Sequence, residues 1–297
     1  MEIPYGSFFS KLYKKSFDDH IFDSAAQVGF YFSFALFPLL LFLVSLVGYF
    51  LGSSSEYQRE LYFYLQQIMP QTAFELVRDT INEVTQNTSG SKLTVGLAVA
   101  LWSASAGIDS LRIALNRVYD IEEQRPWILT KIMSIVLTLL LTLLISVALT
   151  GVFQGWQLIS LALKTAGIAA PAPFMLVGIQ WLGTLAILLV IFEVLYNILP
   201  DRRPFQWIWI SPGASVAIAL WLALSFGWKT YLVYFNNYDK IYGSIGAGIV
   251  LMLWLYLTAL AILVGGMINS ILRELNEAKT ATSINVTRED TDVDNAP

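Results

Sequence analysis

The chain has 297 residues, of which 56% are hydrophobic and only 13% are charged, and its mean hydropathy is +0.60. Soluble domains carry about 25% charged residues, so this composition indicates a membrane protein. The sequence has no cysteine and one histidine, His20, which excludes disulfides and thiolate metal sites and argues against a catalytic triad built on histidine. The net charge of −4 argues against general nucleic-acid binding. We therefore predict no metal site, no cofactor and no nucleic-acid partner.

Long apolar segments predict an all-α fold, a polytopic membrane bundle of six transmembrane helices. The spans are expected at about residues 25–51, 93–119, 128–153, 174–199, 207–231 and 243–272. Residues 1–24 are expected to be a cytoplasmic segment, and the polar stretch after the first span predicts an extracytoplasmic loop of amphipathic helices. The charged end, residues 273–297, predicts a disordered acidic cytoplasmic tail.

The distribution of basic residues predicts the orientation of the bundle. With the N-terminus in the cytoplasm, 12 of the 18 Lys and Arg residues fall on the cytoplasmic side. Basic residues favour cytoplasmic loops, so we expect both termini inside and a multi-pass protein of the bacterial cytoplasmic membrane.

The second predicted span carries a stripe of polar residues at helical spacing. They follow one another at steps of 4, 3, 4, 4 and 3 and are Ser105, Asp109, Arg112, Asn116, Asp120 and Glu123. At about 100° per residue they share one face of the helix. Ionisable groups in a span that begins in lipid must face protein or water, because each charge in hydrocarbon costs several kcal/mol. We name these six residues the polar stripe.

Two interpretations of the polar stripe stay open. In the first, Ser105, Asp109, Arg112 and Asn116 line a hydrated cavity, and the guanidinium of Arg112 binds a phosphate or carboxylate. In the second, Asp109 and Arg112 form an internal ion pair that fixes helix packing. For Asp120, Glu122, Glu123 and Arg125 we expect a structural role, as in the second interpretation, because they lie where the helix leaves the membrane.

The fourth predicted span carries Glu193, with Asn197 one turn later on the same face. The carboxyl group could couple transport to protons, and both residues could line the substrate cavity. The alternative is a solvated position near the cytoplasmic interface.

Small residues crowd both ends of the sixth predicted span. Such residues let helix backbones approach closely, so the pattern predicts tight helix packing. The predicted packing residues are Gly243, Ser244, Gly246, Gly248, Gly265 and Gly266.

Landmarks in the same order as the six spans carry a resemblance to a known family. They are Ala25-Ala26, Phe37-Pro38-Leu39, Ala114 to Tyr119, Glu122-Glu123, Arg125-Pro126, Leu199-Pro200, Pro212-Gly213, Tyr242 to Gly246 and Leu253 to Tyr256. Over about residues 17–272 the chain resembles the YihY/BrkB family of bacterial inner-membrane proteins, whose older members were labelled ribonuclease BN. The family usually has an acidic residue after its last small pair, whereas Met267 follows Gly265-Gly266 here.

The resemblance implies a six-span transport or envelope protein, with lipid, lipopolysaccharide-precursor or solute export among the functions proposed for the family. We predict a transporter, flippase or exporter of an amphiphilic or small anionic solute, and not an enzyme. The alternatives are an envelope scaffold without transport and a membrane-bound ribonuclease. The expected partners are membrane lipids and a small-molecule or lipid substrate, and a homo-oligomer is left open.

Overall fold

The computed structural model describes residues 5–51, 62–63, 78, 90–165, 167, 172–205, 207–234 and 244–294. These residues are helical apart from short connections, and they contain no strand. The helices are α1 (Tyr5–Asp18), α2 (Ile21–Leu51), α3 (Gly90–Val118), α4 (Trp127–Thr165), α5 (Pro173–Ile198), α6 (Pro212–Tyr234) and α7 (Ser244–Asp294). The all-α prediction is therefore confirmed for the described part of the chain.

Four helical segments of the described chain are long and apolar enough to cross a membrane. They are Ala98–Val118 in α3, Trp127–Val152 in α4, Pro173–Ile198 in α5 and Gly248–Glu277 in α7. Each overlaps a predicted span. The predicted spans at residues 25–51 and 207–231 correspond to α2 and to α6, which begins at Pro212. The predicted loop of amphipathic helices falls almost wholly outside the described residues.

Two helices extend beyond the predicted spans. Helix α4 runs without a break to Thr165. Helix α7 continues through Asp294, where the sequence led us to expect a disordered tail from Arg273. Arg273 Nε donates to Glu277 Oε1 at 2.7 Å, one turn further along this helix. Such pairs and the helix-forming residues around them favour continuation of the helix into polar sequence.

The helices divide into two compact units. The first comprises Met1–Gly29, Leu111–Arg125 and Leu141–Pro297, and the second comprises Phe30–Ser110 and Pro126–Leu140. Each unit therefore contains parts of α2, α3 and α4, and the polar stripe divides between them after Ser110.

The first unit is held together where α5, α6 and α7 meet. Gly213 N donates to Asn269 Oδ1 at 2.8 Å, and Tyr196 Oη donates to the carbonyl of Ile262 at 2.7 Å. A Cβ atom added to Gly265 would collide with Tyr196 Oη, the carbonyl of Gly213 and Ala217 Cβ. Only glycine fits at such a contact, because the backbones of α6 and α7 come too close for a side chain.

The other predicted packing residues differ in their surroundings. A Cβ atom added to Gly266 would lie 2.8 Å from Leu115 Cδ2, whereas one added to Gly248 would meet nothing within 4 Å in the described chain. Gly243 lies outside the described residues, as do the side-chain surroundings of Ser244 and Gly246. The close packing thus concerns the Gly265-Gly266 end of α7.

Candidate functional site: buried ion networks and a polar cavity

In the second unit, Asp109 of α3 binds two residues of α4. Its carboxylate accepts a hydrogen bond from Ser134 Oγ at 2.6 Å and lies 3.2 Å from Lys131 Nζ. Lys131 is 8% exposed and Ser134 is fully buried. A buried ammonium and a partly buried carboxylate stabilise one another, because each offsets the charge that the other brings into a region of low dielectric constant.

Lys131 also contacts Trp102, which lies one helical turn before Ser105, the first residue of the polar stripe. Its ammonium donates to the carbonyl of Trp102 at 3.2 Å and lies 4.6 Å from the centroid of that ring, a cation–π contact. In the sequence, Lys131 contributed only to the count of basic residues that predicts the orientation. Its position, four residues into an otherwise apolar helix, was the signal that a buried acidic partner should exist.

Ser105 is buried in the same unit. Its hydroxyl donates to the carbonyl of Trp102 at 2.7 Å, within its own helix. This contact satisfies the hydroxyl without a ligand.

In the first unit, the carboxylate of Glu123 binds three polar residues near the end of α3. Its Oε2 accepts from Arg112 Nη1, from Asn116 Nδ2 at 3.0 Å and from Arg125 Nη2 at 2.9 Å, and its Oε1 accepts from Arg125 Nε at 2.6 Å. The chain therefore turns back after Val118 and brings an acidic residue from the following loop against the face of α3 that carries Arg112. We name Arg112, Asn116, Glu123 and Arg125 the Glu123 network.

These contacts perturb the acidity of Glu123. Partial burial acts to raise the pKa of its carboxyl group, but the hydrogen bonds donated by Arg125 and Arg112 outweigh burial and lower the pKa from 4.5 to about 2. Glu123 is therefore ionised throughout the physiological pH range. Its side chain is only 22% exposed and pairs with two arginines, which fits the structural role expected for this residue at the helix exit.

The Glu123 network also fixes the loop that follows α5. Asn116 Oδ1 accepts from the backbone N–H of Asp201 at 3.0 Å, and Arg125 donates to the carbonyls of Ile198 at 3.3 Å and Leu199 at 2.7 Å. These carbonyls end α5 and have no partner within the helix, so a cation is well placed to bind them.

A second buried network joins α5 to the start of α6. Glu193 is 3% exposed; its Oε1 accepts from the backbone N–H of Ser211, and its Oε2 accepts from Asn197 Nδ2 at 3.2 Å. Ser211 caps α6 by accepting a hydrogen bond from the N–H of Ala214 at 3.2 Å. The carboxylate of Glu193 therefore lies at the positive end of the α6 dipole, which stabilises its negative charge. The predicted solvated position of Glu193 is wrong for this structure.

A polar cavity of about 450 Å³ lies at the ends of α3 and α5 and beside α7, within the first unit. Its lining contains three arginines and five carboxylates. The lining residues are Tyr119, Asp120, Ile121, Glu122, Gln124, Asp201, Arg202, Arg203, Ser270, Arg273, Glu274 and Glu277. None of the six residues that we predicted to line a substrate cavity is among them, although Asn116 and Asn197 bind Asp201 and Arg202, respectively.

Several of the cavity's carboxylates have basic partners. Glu274 Oε1 lies 2.8 Å from Lys15 Nζ, Glu277 binds Arg273, and Asp201 Oδ2 lies 3.4 Å from Arg203 Nη2. Among the residues that the structure describes, no group of three or more His, Asp or Glu side chains is placed to hold a metal ion.

Arg202 differs from the other arginines of the cavity. Its Nη2 donates to Asn197 Oδ1 at 3.1 Å and to the carbonyl of Tyr196 at 2.9 Å, and its guanidinium lies 5.7 Å from the centre of the Tyr119 ring. Its Nε atom is buried without a hydrogen-bond partner in the described chain. Burial lowers the pKa of Arg202. From the sequence, Arg202 was only a signal of topology, because a basic pair in a short loop gives no sign that one member is buried.

Comparison with known proteins matches residues 12–288 to the model of a family described as Virulence factor BrkB. The ribonuclease-like protein YfkH of Bacillus subtilis is 32% identical over 250 residues, which cover 84% of this chain and 89% of the relative. A UPF0761 membrane protein of Laribacter hongkongensis is 25% identical over 257 residues, covering 86% of this chain and 58% of the relative. A UPF0761 membrane protein of Xanthomonas campestris is 24% identical over 272 residues, covering 89% and 60%.

The chain spans less than two thirds of the length of these two UPF0761 proteins. No solved structure matches. The family match covers most of the chain and confirms the resemblance carried by the landmark residues, and the relatives named as membrane proteins agree with the apolar helices. This protein is therefore a membrane protein that belongs to the BrkB family.

Proposed function

We propose that this protein moves an amphiphilic molecule or a small anionic solute across the cytoplasmic membrane, as a six-span bundle with both termini in the cytoplasm. The observation that carries the proposal is the polar cavity of about 450 Å³ with Arg202 in its wall. Ionisable residues inside a membrane are costly and usually mark a pathway for a polar substrate. The cavity lies at the ends of the membrane-crossing helices α3 and α5, where such a pathway would open.

Arg202 is the proposed contact for the anionic group. None of the ion pairs formed by the described carboxylates involves Arg202, and its buried Nε is a donor without an acceptor. A phosphate or carboxylate in the cavity would supply that acceptor, and a guanidinium binds such groups through two parallel hydrogen bonds. Arg112, which the sequence first suggested for this role, already binds Glu123.

The Glu123 network has a supporting role in this proposal. Asn116 and Arg125 bind the loop that begins at Leu199 and continues into Asp201 and Arg202. A fixed loop holds the guanidinium of Arg202 in one orientation, which reduces the conformational entropy lost when an anion binds.

Transport can be tested with purified protein in vesicles of phosphatidylcholine and phosphatidylglycerol that contain a trace of fluorescent phosphatidylglycerol. Translocation makes label from the inner leaflet accessible to dithionite, and uptake of radioactive phosphate provides a parallel assay for a small anion. We expect one of the two activities in the wild type and a loss of about tenfold or more in Arg202→Gln, which removes a charge-assisted hydrogen bond worth roughly 1.5–3 kcal/mol. The control is Lys14→Gln, which removes an exposed positive charge of α1 outside the cavity and should retain the wild-type rate.

Equal rates in folded Arg202→Gln and wild type would contradict the proposed role of Arg202. Rates no higher than those of protein-free vesicles with both probes would contradict transport of these two classes. Arg202→Lys is the conservative variant, and we expect partial activity, because an ammonium replaces a planar fork.

The six-span topology can be tested separately, since the chain has no native cysteine. We expect an impermeant thiol reagent added from outside to label cysteines introduced at Ser54 and Gly167, but not at Arg203 or Thr282. Labelling at Arg203 would contradict the proposed orientation.

A second candidate function, a ribonuclease, is suggested by names alone, those of the Bacillus subtilis relative and of older members of the family that the chain resembles. Phosphodiester cleavage requires acid–base groups or metal-bound water at the scissile bond. We expect purified protein to leave RNA intact in the presence of Mg²⁺ or Mn²⁺. Cleavage that copurifies with the protein and disappears in Asp120→Asn would favour the nuclease instead.

A further inference from the structure

The connection between α5 and α6 exposes a continuous group of large apolar side chains. Trp209 is 80% exposed, Ile210 69% and Phe205 62%, and Trp207 and Ile208 are also exposed. The rings contact one another, with centroids 6.4 Å apart for Phe205 and Trp207 and 5.9 Å apart for Trp207 and Trp209. We name residues 205 and 207–210 the aromatic loop. So many adjacent exposed apolar residues indicate a surface that meets something other than water.

The backbone of the aromatic loop is bound from inside the protein. Asn197 Oδ1 accepts from the N–H of Ile208 at 2.9 Å, and Asn197 Nδ2 donates to the carbonyl of Ile208 at 2.9 Å. The side-chain amide of Asn197 thus pairs with the backbone of Ile208 in the way that the backbone of a neighbouring β-strand would. Glu193 binds the N–H of Ser211, directly after the loop.

These internal hydrogen bonds are what an irregular segment needs in a lipid environment. Hydrocarbon offers no partner for a backbone N–H or carbonyl, so non-helical backbone at membrane depth is tolerated only where protein groups satisfy it. Asn197 is 1% exposed and Glu193 is 3% exposed, so these backbone groups are satisfied by protein and not by water.

The surroundings of the loop identify the partner. Helix α5, which is apolar enough to cross a membrane, ends at Ile198, and its outward side chains such as Leu182 and Val190 are exposed as a lipid-facing helix requires. Arg203 lies two residues before the loop, and its side chain is 60% exposed. An aromatic group beside an exposed cation fits the boundary between acyl chains and anionic head groups.

We infer that the aromatic loop inserts into the lipid leaflet beside α5, with Trp209 at the acyl boundary, Arg203 at the phosphates, and Glu193 and Asn197 as positioning residues. This inference does not depend on transport. It gives the two buried residues, which the sequence suggested as cavity or proton-coupling groups, a role in holding a lipid anchor.

A nitroxide label on an introduced cysteine tests the insertion. Trp209→Cys and, as a control in the polar cavity, Gln124→Cys are labelled in the full chain and reconstituted into vesicles of phosphatidylcholine and phosphatidylglycerol. At position 209 we expect collisions with oxygen, which concentrates in lipid, to exceed collisions with a water-soluble nickel chelate. At position 124 the order should be reversed.

Two outcomes would overturn the inference. Equal preference for the nickel chelate at both positions would place the aromatic loop in water. Spin–spin broadening at position 209 that disappears on dilution with unlabelled protein would show that a second copy of the chain covers the loop instead of lipid.

The positioning role is tested by adding Asn197→Ala to the labelled Trp209→Cys protein. We expect nickel-chelate collisions at position 209 to rise at least twofold while helix content is unchanged. Gln180→Ala removes another amide of α5, one that binds Val152 and Trp156, and should leave the label unaffected. An unchanged label in Asn197→Ala would contradict the positioning role, and if that variant does not fold, the label at position 209 still decides the lipid contact.

Discussion

Asp109 and Arg112 lie three positions apart on α3, yet the residues that bind them differ in kind. Asp109 binds Lys131 and Ser134, which both lie on the neighbouring helix α4. Arg112 binds Glu123, which belongs to the loop that follows its own helix. The first arrangement joins two membrane-crossing helices, and the second joins a helix to a loop.

This difference shows what each half of the polar stripe does for the fold. The contacts of Asp109 offset one buried ammonium and hold α3 against α4. Glu123 binds the guanidiniums of Arg112 and Arg125. Through Asn116 and Arg125 it also holds the loop at the end of α5. Loss of Glu123 should therefore disturb more of the structure than loss of Asp109.

The largest effect is expected from Glu123→Gln. This change removes the carboxylate that binds Arg112 and Arg125 together, although Arg125 keeps its ion pair with Asp201 at 3.7 Å. Removal of one partner from a buried ion pair costs about 3–5 kcal/mol. The neighbouring residue provides a matched control, since Glu122 is exposed and Glu122→Gln should leave the melting temperature in detergent unchanged. Equal melting temperatures for the two variants would contradict the Glu123 network.

The pH dependence of stability should report the same carboxylate. Because folding lowers the pKa of Glu123 from 4.5 to about 2, its contribution is fully present above pH 4.5 and is lost as the pH falls toward 2. A shift of this size corresponds to roughly 3 kcal/mol. The difference in melting temperature between wild type and Glu123→Gln should therefore be large at pH 7 and smaller at pH 3. A constant difference would show that the carboxyl group has an ordinary pKa in the folded protein.

A smaller effect is expected for the pair in the second unit. Either Asp109→Asn or Lys131→Met should cost about 2–3 kcal/mol, less than the loss of Glu123, because Asp109 binds one cation whereas Glu123 binds two. The double variant should recover part of this loss, with a coupling energy of about 1–2 kcal/mol. Additive losses in the two single variants would mean that Asp109 and Lys131 do not stabilise one another.

The smallest destabilisation is expected where α6 and α7 touch. Gly265→Ala should lower the stability by about 1–3 kcal/mol, because the added methyl group collides with Tyr196 and the backbone of Gly213. Gly227→Ala on α6 is the control, since its methyl group would meet no described atom within 4 Å. That control should be neutral or more stable than the wild type by up to about 1 kcal/mol, because alanine favours helices. Similar melting temperatures for the two variants would show that the contact at Gly265 tolerates a side chain.

The sequence predicted those features that depend on periodicity and length. The polar stripe and the four segments able to cross a membrane follow from the spacing of polar residues and from the length of apolar runs. It could not show which residues the chain brings back onto the stripe. Glu123 and Arg202 lie in short polar segments that resemble solvated loops, and only the path of the chain buries them. The disordered tail was predicted from composition alone. Composition does not show that α7 is already helical when the chain reaches the polar residues after Arg273, so that the helix can continue into them.

The most direct test of the proposed function compares Arg112→Gln/Glu123→Gln with Arg202→Gln in the vesicle assay. The double variant removes both charges of one pair, so it should fold better than Glu123→Gln alone. If Arg202 binds the substrate and the Glu123 network only holds its loop, the double variant should translocate more slowly than the wild type but faster than Arg202→Gln, because Asn116 and Arg125 still bind the loop. Arg202→Gln should lose about tenfold or more, as expected for a lost charge-assisted hydrogen bond. A folded double variant without translocation, together with an active Arg202→Gln, would contradict this assignment and place substrate binding at Arg112.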